Sequence, residues 1–327
     1  MRMQRRLAVT TALGLAFATT LAIIGSASAQ TYPTRPVRLI VGLGAGSAPD
    51  ILARYVGQRL SQRLGQPFVI ENSPGAGTNI ATEAVVRSAP DGYTLLLVDT
   101  AQATNATLYE HLNFNFIRDI EPVASFFQTP FVMVVHPSVP ARTLPEFIAH
   151  AKANPGTLNM ASPGKGTGPH LAGELFNMMA GVDMVHVPYR GGAQVMTDLI
   201  AGHVQVAFIG PAVAIEHVNA GKIQALAVTA ATRSDLLPGV PTVAEFISDY
   251  ESSGWFGIGA PKGTPPQIIE RLNREINATL AEPATTIRFA ELGGKVLAGS
   301  PADFGKLIDK ETEKKRKVVK FTGMKPD

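Results

Sequence analysis

The chain predicts an α/β protein of two domains, and three observations carry that expectation. Strand-like apolar runs alternate with amphipathic helical segments along nearly its whole length. With 327 residues, the chain leaves about 300 once an apolar leader is set aside, which is the size of two domains. Two glycine-rich loops, Gly42 to Asp50 and Ala161 to His170, lie in separate halves and each joins a strand to a helix.

The leader comes first. Met1 to Arg6 holds three arginines and no acid, Leu7 to Ile24 is apolar, and Ala27-Ser28-Ala29 offers small residues for cleavage before Gln30. This is the pattern of a secretory signal over residues 1–29, cleaved near Ala29, with an uncleaved anchor as the alternative reading. Arg5-Arg6 also fits twin-arginine export. The formal charge of +3 lies in that leader, so the mature chain is neutral overall. Without a basic stripe or a stacking platform, nucleic acid is excluded as a partner. No cysteine is present, which rules out disulfides, thiolate catalysis and cysteine-ligated metal.

Val37 to Val41 reads as a strand entering the first loop, with a helix from Ile51 to Leu64 after it. Strands follow at Phe68 to Ile70, Thr94 to Val98 and Phe131 to Val135, then a helix at Phe147 to Ala153. Leu158 to Ala161 enters the second loop and a helix runs from Leu171 to Ala180. Further strands are expected at Val185 to Val187, Val204 to Ile209, Gln224 to Thr229 and Trp255 to Ala260, and a helix at Ile268 to Leu280. The alternation predicts mostly parallel sheets. Thr143 to Glu146, Thr264 to Gln267 and Ser300 to Asp303 have the spacing of capped helix starts.

Both glycine loops therefore sit at helix N-termini, where first-turn N–H groups lack partners and the helix dipole is positive. An anion gains several hydrogen bonds there without a cationic side chain. Two such loops form a carboxylate clamp if the halves face each other, and ligands of open α/β sheets bind at that strand edge.

Several ordered blocks resemble one family. Asn72 to Ile80, Pro90-Asp91-Gly92-Tyr93-Thr94 to Leu97, Ser162 to Glu174, Val185 to Gly192, Ala225 to Thr229 with Pro238 to Glu245, and the tail from Lys317 to Asp327 are similar to the Bug family. These are the extracytoplasmic solute receptors of tripartite tricarboxylate transporters, and the resemblance runs from Tyr32 to the end. It implies a type II periplasmic binding fold: two α/β lobes joined by two strand crossings, here near Gln128 to Phe131 and Gly254 to Phe256. The lobes are then 30–128 with 255–327, and 129–254. It also implies a periplasmic monomer that binds a small organic acid, needs no cofactor and docks on membrane permease subunits.

In that family loop backbone groups hold the carboxylate, partly through water, so the resemblance places Gly44, Ala45, Gly46 and Ser47 of the first loop at the ligand. Gly46 and Asp50 match the usual pattern, whereas Gly44, Ala45 and Ser47 depart from it. Asp50 reads as an N-cap or loop brace. In the second loop Ser162, Gly164, Gly166, Thr167 and His170 match. Thr167 suits either ligand or helix cap, and His170 either helix-start packing or ligand contact. Arg190, Gly191, Gly192 and Ala193 rim the same cleft, the arginine as a bidentate partner or a solvated group. Thr100 and Gln102 form a fourth wall that selects the far end of the ligand, beside Asp99. Tyr109, Phe126 and Trp255 are further wall candidates. Ile209-Gly210-Pro211 stands where the family often carries Asp or Asn, which favours a plain carboxylate over an amino acid.

Two other functions compete. Gly42, Gly44 and Gly46 with Glu71 imitate a dinucleotide fingerprint, but the spacing is G-x-G-x-G. A catalytic Ser, His and Asp drawn from distant segments would also make an enzyme, though no G-x-S-x-G or H-E-x-x-H motif is present. An exported sensor for a membrane signalling system is the third class.

Overall fold

The computed structural model describes residues 32–109, 111–189 and 191–325. The expected leader and Arg190 lie outside the described residues. In chain order the strands are β1 (Val37–Val41), β2 (Phe68–Asn72), β3 (Thr94–Asp99), β4 (Ile120–Pro130) and β5 (Val132–Val135). β6 (Asn159–Ser162), β7 (Val185–Pro188), β8 (Val206–Ile209), β9 (Gln224–Val228), β10 (Ser253–Pro261) and β11 (Lys295–Val296) follow. One sheet has the order β11-β4-β10-β3-β1-β2 and the other β7-β6-β8-β5-β9.

The helices are α1 (Ala48–Leu64), α2 (Asn79–Val86), α3 (Thr100–Leu108), α4 (Phe116–Asp119), α5 (Leu144–Ala153) and α6 (Gly168–Ala180). They continue as α7 (Gly192–Ile200), α8 (Pro211–Asn219), α9 (Pro266–Leu280), α10 (Pro283–Glu291) and α11 (Pro301–Thr322). α1 and α6 begin three residues before their apolar periodicity does, because Pro49 and Pro169 fit the first turn, where no intrahelical N–H bond is needed. Of the expected caps, Ser300 and Asp303 form a full capping box. Thr143 caps α5, and the return bond to Glu146 comes from Arg142 N–H. Thr264 caps nothing; its hydroxyl donates to Pro261 C=O and α9 starts behind Pro265.

The sheets are mixed, which corrects the expectation of mostly parallel pairing. β1 runs parallel to β2 and β3, and β6 parallel to β7 and β8, while β4, β5, β9, β10 and β11 pair antiparallel. The reason is connectivity, since a chain that leaves one sheet and returns must run against the strands it joins.

That connectivity also positions the site. β10 begins opposite the end of β3, with Phe256 across from Asp99, and β4 ends opposite Ser253. β5 begins opposite the end of β8, with Val132 across from Ile209. Both passages, at Pro130 to Phe131 and at Ser252 to Ser253, thus leave from the edge where the parallel strands end and their following helices begin. The two C-terminal edges face each other across the passages. Buried Thr229 ties them together: its hydroxyl accepts from Phe131 N–H (2.8 Å) and donates to Ser252 C=O, while Ser252 N–H donates to Thr229 C=O (2.9 Å).

Each lobe has its own core. Leu39, Val41, Leu95, Leu97, Phe126 and Phe289 pack in the first, and Met133, Phe147, Phe176, Phe208 and Tyr250 in the second. α11 reaches both, since Phe304 and Ile308 pack beside Trp255 and Leu96 while Val318 joins the core of the second lobe.

Candidate anion-binding site between the lobes

The two glycine loops share one frame, Gly-x-Gly-Ser/Thr-x-Pro followed by Asp or His, and from the second glycine onward one conformation. Gly46 and Gly166 have φ of 79° and 75°, a region open to glycine at little cost. Ser47 and Thr167 are the N-caps of α1 and α6 in matching extended conformations. Ile51 N–H bonds Ser47 C=O and Leu171 N–H bonds Thr167 C=O, both at 3.0 Å. In each loop the residue four after the glycine braces it. Asp50 Oδ2 accepts from Gly46 N–H (2.9 Å), and His170 Nδ1 accepts from Gly166 N–H (3.0 Å). Sequence reading places these loops and offers Asp50 as a brace, but misses the matching role of His170, because an i,i+4 contact is visible only once the helix start is known.

The braces differ electrically. Asp50, 2% exposed, also holds Arg54 and Asn72, and the Arg54 guanidinium keeps its carboxyl below the usual carboxylate range. It is a loop brace at the third helical position, not an N-cap. His170 is 3% exposed, lies 3.3 Å from Glu174 through Nε2, and stacks on His186 with ring centres 3.6 Å apart. No carboxylate occupies the first turn of α6.

Other expected ligand groups are committed inside the fold. Ser162 is fully buried; its hydroxyl lies 2.7 Å from His186 Nε2 and 3.0 Å from Gly164 C=O, and accepts from Gly164 N–H at 3.3 Å. Thr167 donates to Gly164 C=O (2.7 Å), so its hydroxyl closes its own loop and does not cap α6. Gln102 accepts from Asp99 N–H (2.9 Å) in a capping box, and its Nε2 faces Leu97 C=O. Phe126 and Trp255 are core residues, packed on Phe289 and Phe304. Ile209 is likewise buried. Glu71 pairs bidentately with Arg38 at 2.7 Å, which removes the carboxylate that the dinucleotide reading needs. The Ser162 and His186 pair has the distance of a catalytic one, but the serine has no exposed surface from which to attack a substrate.

Open space lies beside several other glycines. A Cβ on Gly44, Gly46, Gly191, Gly192 or Gly210 would meet nothing within 4 Å. Gly191 caps α7 without a side-chain bond, and the first intrahelical bond there comes from Val195 N–H, which leaves Gly192, Ala193 and Gln194 ahead of it. Gly210 similarly caps α8. The second loop closes the floor: a Cβ on Gly166 would stand 3.4 Å from Leu108, and one on Gly168 2.7 Å from Phe131 and 3.5 Å from the Thr100 hydroxyl. Gly44 and Gly46 in the first lobe and Gly191 and Gly192 in the second thus lie at helix starts with open space beside them.

Asp99 sits at the N-cap of α3, 7% exposed, accepting from Ala101 N–H at 2.6 Å. Burial pushes its carboxyl up to about 6, against the lowering effect of that bond. A carboxyl raised on folding binds its proton more tightly in the native state, so it lowers stability as pH climbs from about 4 to 6. Asp99→Asn, which keeps the cap, is expected to raise stability at pH 7.5 by about 2 kcal/mol and remove that slope. Urea unfolding at pH 4.5 and 7.5 checks it; equal slopes in both proteins would refute it.

Among the described residues no group of His, Asp and Glu is placed to hold a metal, and no helix is long and apolar enough to cross a membrane. Residues 52–324 match the family described as "Tripartite tricarboxylate transporter family receptor". The chain is 36% identical to protein BugT of Bordetella pertussis over 328 residues, covering 99% of each. It resembles the solved structure of R. palustris Rpa4515 with adipate at TM-score 0.81 and 34% identity, over 90% of this chain and all of that one. MatC from Rhodopseudomonas palustris with bound malate gives TM-score 0.76 at 28% identity, over 88% of this chain and 100% of that one. Two α/β lobes, paired crossings and facing C-terminal edges constitute the type II periplasmic binding fold. The chain belongs to the tripartite tricarboxylate transporter receptor family, among the Bug proteins.

Proposed function

We propose that the protein is an exported, monomeric receptor that captures a small organic acid between its lobes, 30–128 with 255–327 and 129–254, and delivers it to membrane permease subunits. It binds and does not convert its ligand, and it needs no cofactor. The observation that supports this reading is the close approach of helix N-termini from the two lobes, since a Cβ on Gly168 at the start of α6 would stand 3.5 Å from the Thr100 hydroxyl at the start of α3. Positive helix ends and first-turn N–H groups stabilise a carboxylate without a fixed cation. Contacts from both sides favour the closed arrangement, which is the form a permease distinguishes from the empty one.

The relatives support the ligand class. Rpa4515 and MatC are solved with adipate and malate, both dicarboxylates. Calorimetry of the purified protein with adipate and malate is the test, with proton NMR of the acid afterwards. Binding with the acid unchanged is expected. No binding to any carboxylate overturns the receptor reading, and conversion of the acid makes the protein an enzyme.

A further inference from the structure

α11 packs into the cores of both lobes. Phe304 and Ile308 lie with Leu96, Ala103 and Trp255, and Val318, about 15 Å beyond Ile308 along the axis, lies in the core that holds Phe176 and Tyr250. Between these anchors the helix runs along α3 of the first lobe and against α6 of the second. Those two helices touch across the gap, with Gly168 beside Thr100 and Gly166 beside Leu108. Lys314 Nζ donates to Glu251 C=O (3.2 Å), just ahead of the passage at Ser252 to Ser253, so the middle of α11 lies at a crossing.

That middle buries charge where the two ends bury apolar groups. Glu311 and Lys315 are 5% and 2% exposed. Glu311 Oε1 takes Lys314 at 2.6 Å. Its Oε2 lies 3.8 Å from Lys315 Nζ and, like the hydroxyls of Thr312 and Ser252, is buried without a hydrogen-bond partner. Burial pushes the Lys315 ammonium below its ordinary range, against the raising effect of Glu311. Two charges taken out of water at that separation do not regain the cost of desolvation, and apolar side chains of similar volume would serve a static core better.

We infer that the buried Glu311 and Lys315 pair holds the ligand-free receptor toward its open form, so that closure waits for the acid. This rests on the receptor reading above. Opening parts α3 from α6, and α11, anchored on both sides, gives way at its middle, where water then reaches both charges. Closing strips that water away, a cost that ligand contacts from both lobes offset. The pair therefore lowers apparent affinity by making the binding-competent form rarer, and it keeps empty receptor from presenting the closed form to a permease.

Glu311→Leu with Lys315→Met tests this, since it removes both charges together and leaves no unpaired charge behind. Calorimetry with adipate is expected to show binding about tenfold tighter than in the unaltered protein. Small-angle scattering is expected to give a ligand-free radius of gyration closer to the adipate-bound value. Glu311→Gln with Lys315→Gln, a milder way to remove the charges, is expected to shift both readouts in the same direction. Glu313→Leu with Arg316→Met removes an exposed pair, with contacts of 2.7 and 2.8 Å, from the same helix and is expected to change neither. Equal or weaker adipate binding in the buried-pair variants, or an equal gain from the exposed-pair variant, overturns the inference while the receptor reading stands. Failure of the unaltered protein to bind adipate or malate overturns both.

Discussion

Replacing Gly166 by valine is expected to lower carboxylate affinity at least about a hundredfold while the protein still folds. Three effects add. Gly166 has φ of 75°, where a β-branched residue is strained by about 1–2 kcal/mol. A Cβ there already stands 3.4 Å from Leu108, so the two valine methyls must displace α3 or the loop. Movement of the loop breaks the bond from Gly166 N–H to His170 that holds it to α6. Stability falls by about 2 kcal/mol, too little to unfold a chain with two separate cores. Calorimetry and far-ultraviolet circular dichroism check both halves. An affinity within about threefold of the unaltered protein, which is under 1 kcal/mol, would remove this loop from the binding account.

Asp50→Ala has the largest expected effect on stability, about 3 kcal/mol. The carboxylate takes Gly46 N–H at 2.9 Å, Arg54 at 2.9 to 3.0 Å and Asn72 at 3.0 Å, and so joins the first glycine loop to α1 and β2. Its carboxyl is held low by Arg54 first and by Gly46 and Asn72 next. A carboxyl lowered on folding stabilises the native state above its ordinary value near 3.8 and loses that contribution as pH falls through the lower folded value. The variant and the unaltered protein therefore differ most at neutral pH and converge in strong acid. Denaturant titrations between pH 3 and 7.5 measure this. A gap that stays constant across the range would mean that Asp50 acts by packing alone.

Much of this arrangement is legible in the chain. Apolar runs broken by Gly42 to Asp50 and Ala161 to His170 announce strand, loop and helix twice, with glycine at 46 and 166 where φ is positive. β4 escapes because Glu121, Pro122 and Pro130 interrupt its apolar pattern, and pairing with β10 along nearly its whole length overrides local propensity. Side-chain commitments are the hardest to foresee. Ser162, Thr167, His170 and Gln102 are all suited by type to touch a ligand, yet each bonds its own loop or cap. Glu311 and Lys315 show the reverse, since in a charge-rich helix their burial becomes visible only after the neighbours are in place.

A crystal structure of the protein grown with adipate tests the central claim most directly. The account predicts a carboxylate within about 3 Å of the Gly192 and Ala193 N–H groups of α7, with the Gly44 to Gly46 loop closing over the acid. Adipate bound with neither carboxylate at these helix ends, for instance in the pocket formed by Gln128, Thr232, Glu251 and Lys295 beside the crossings, would contradict it.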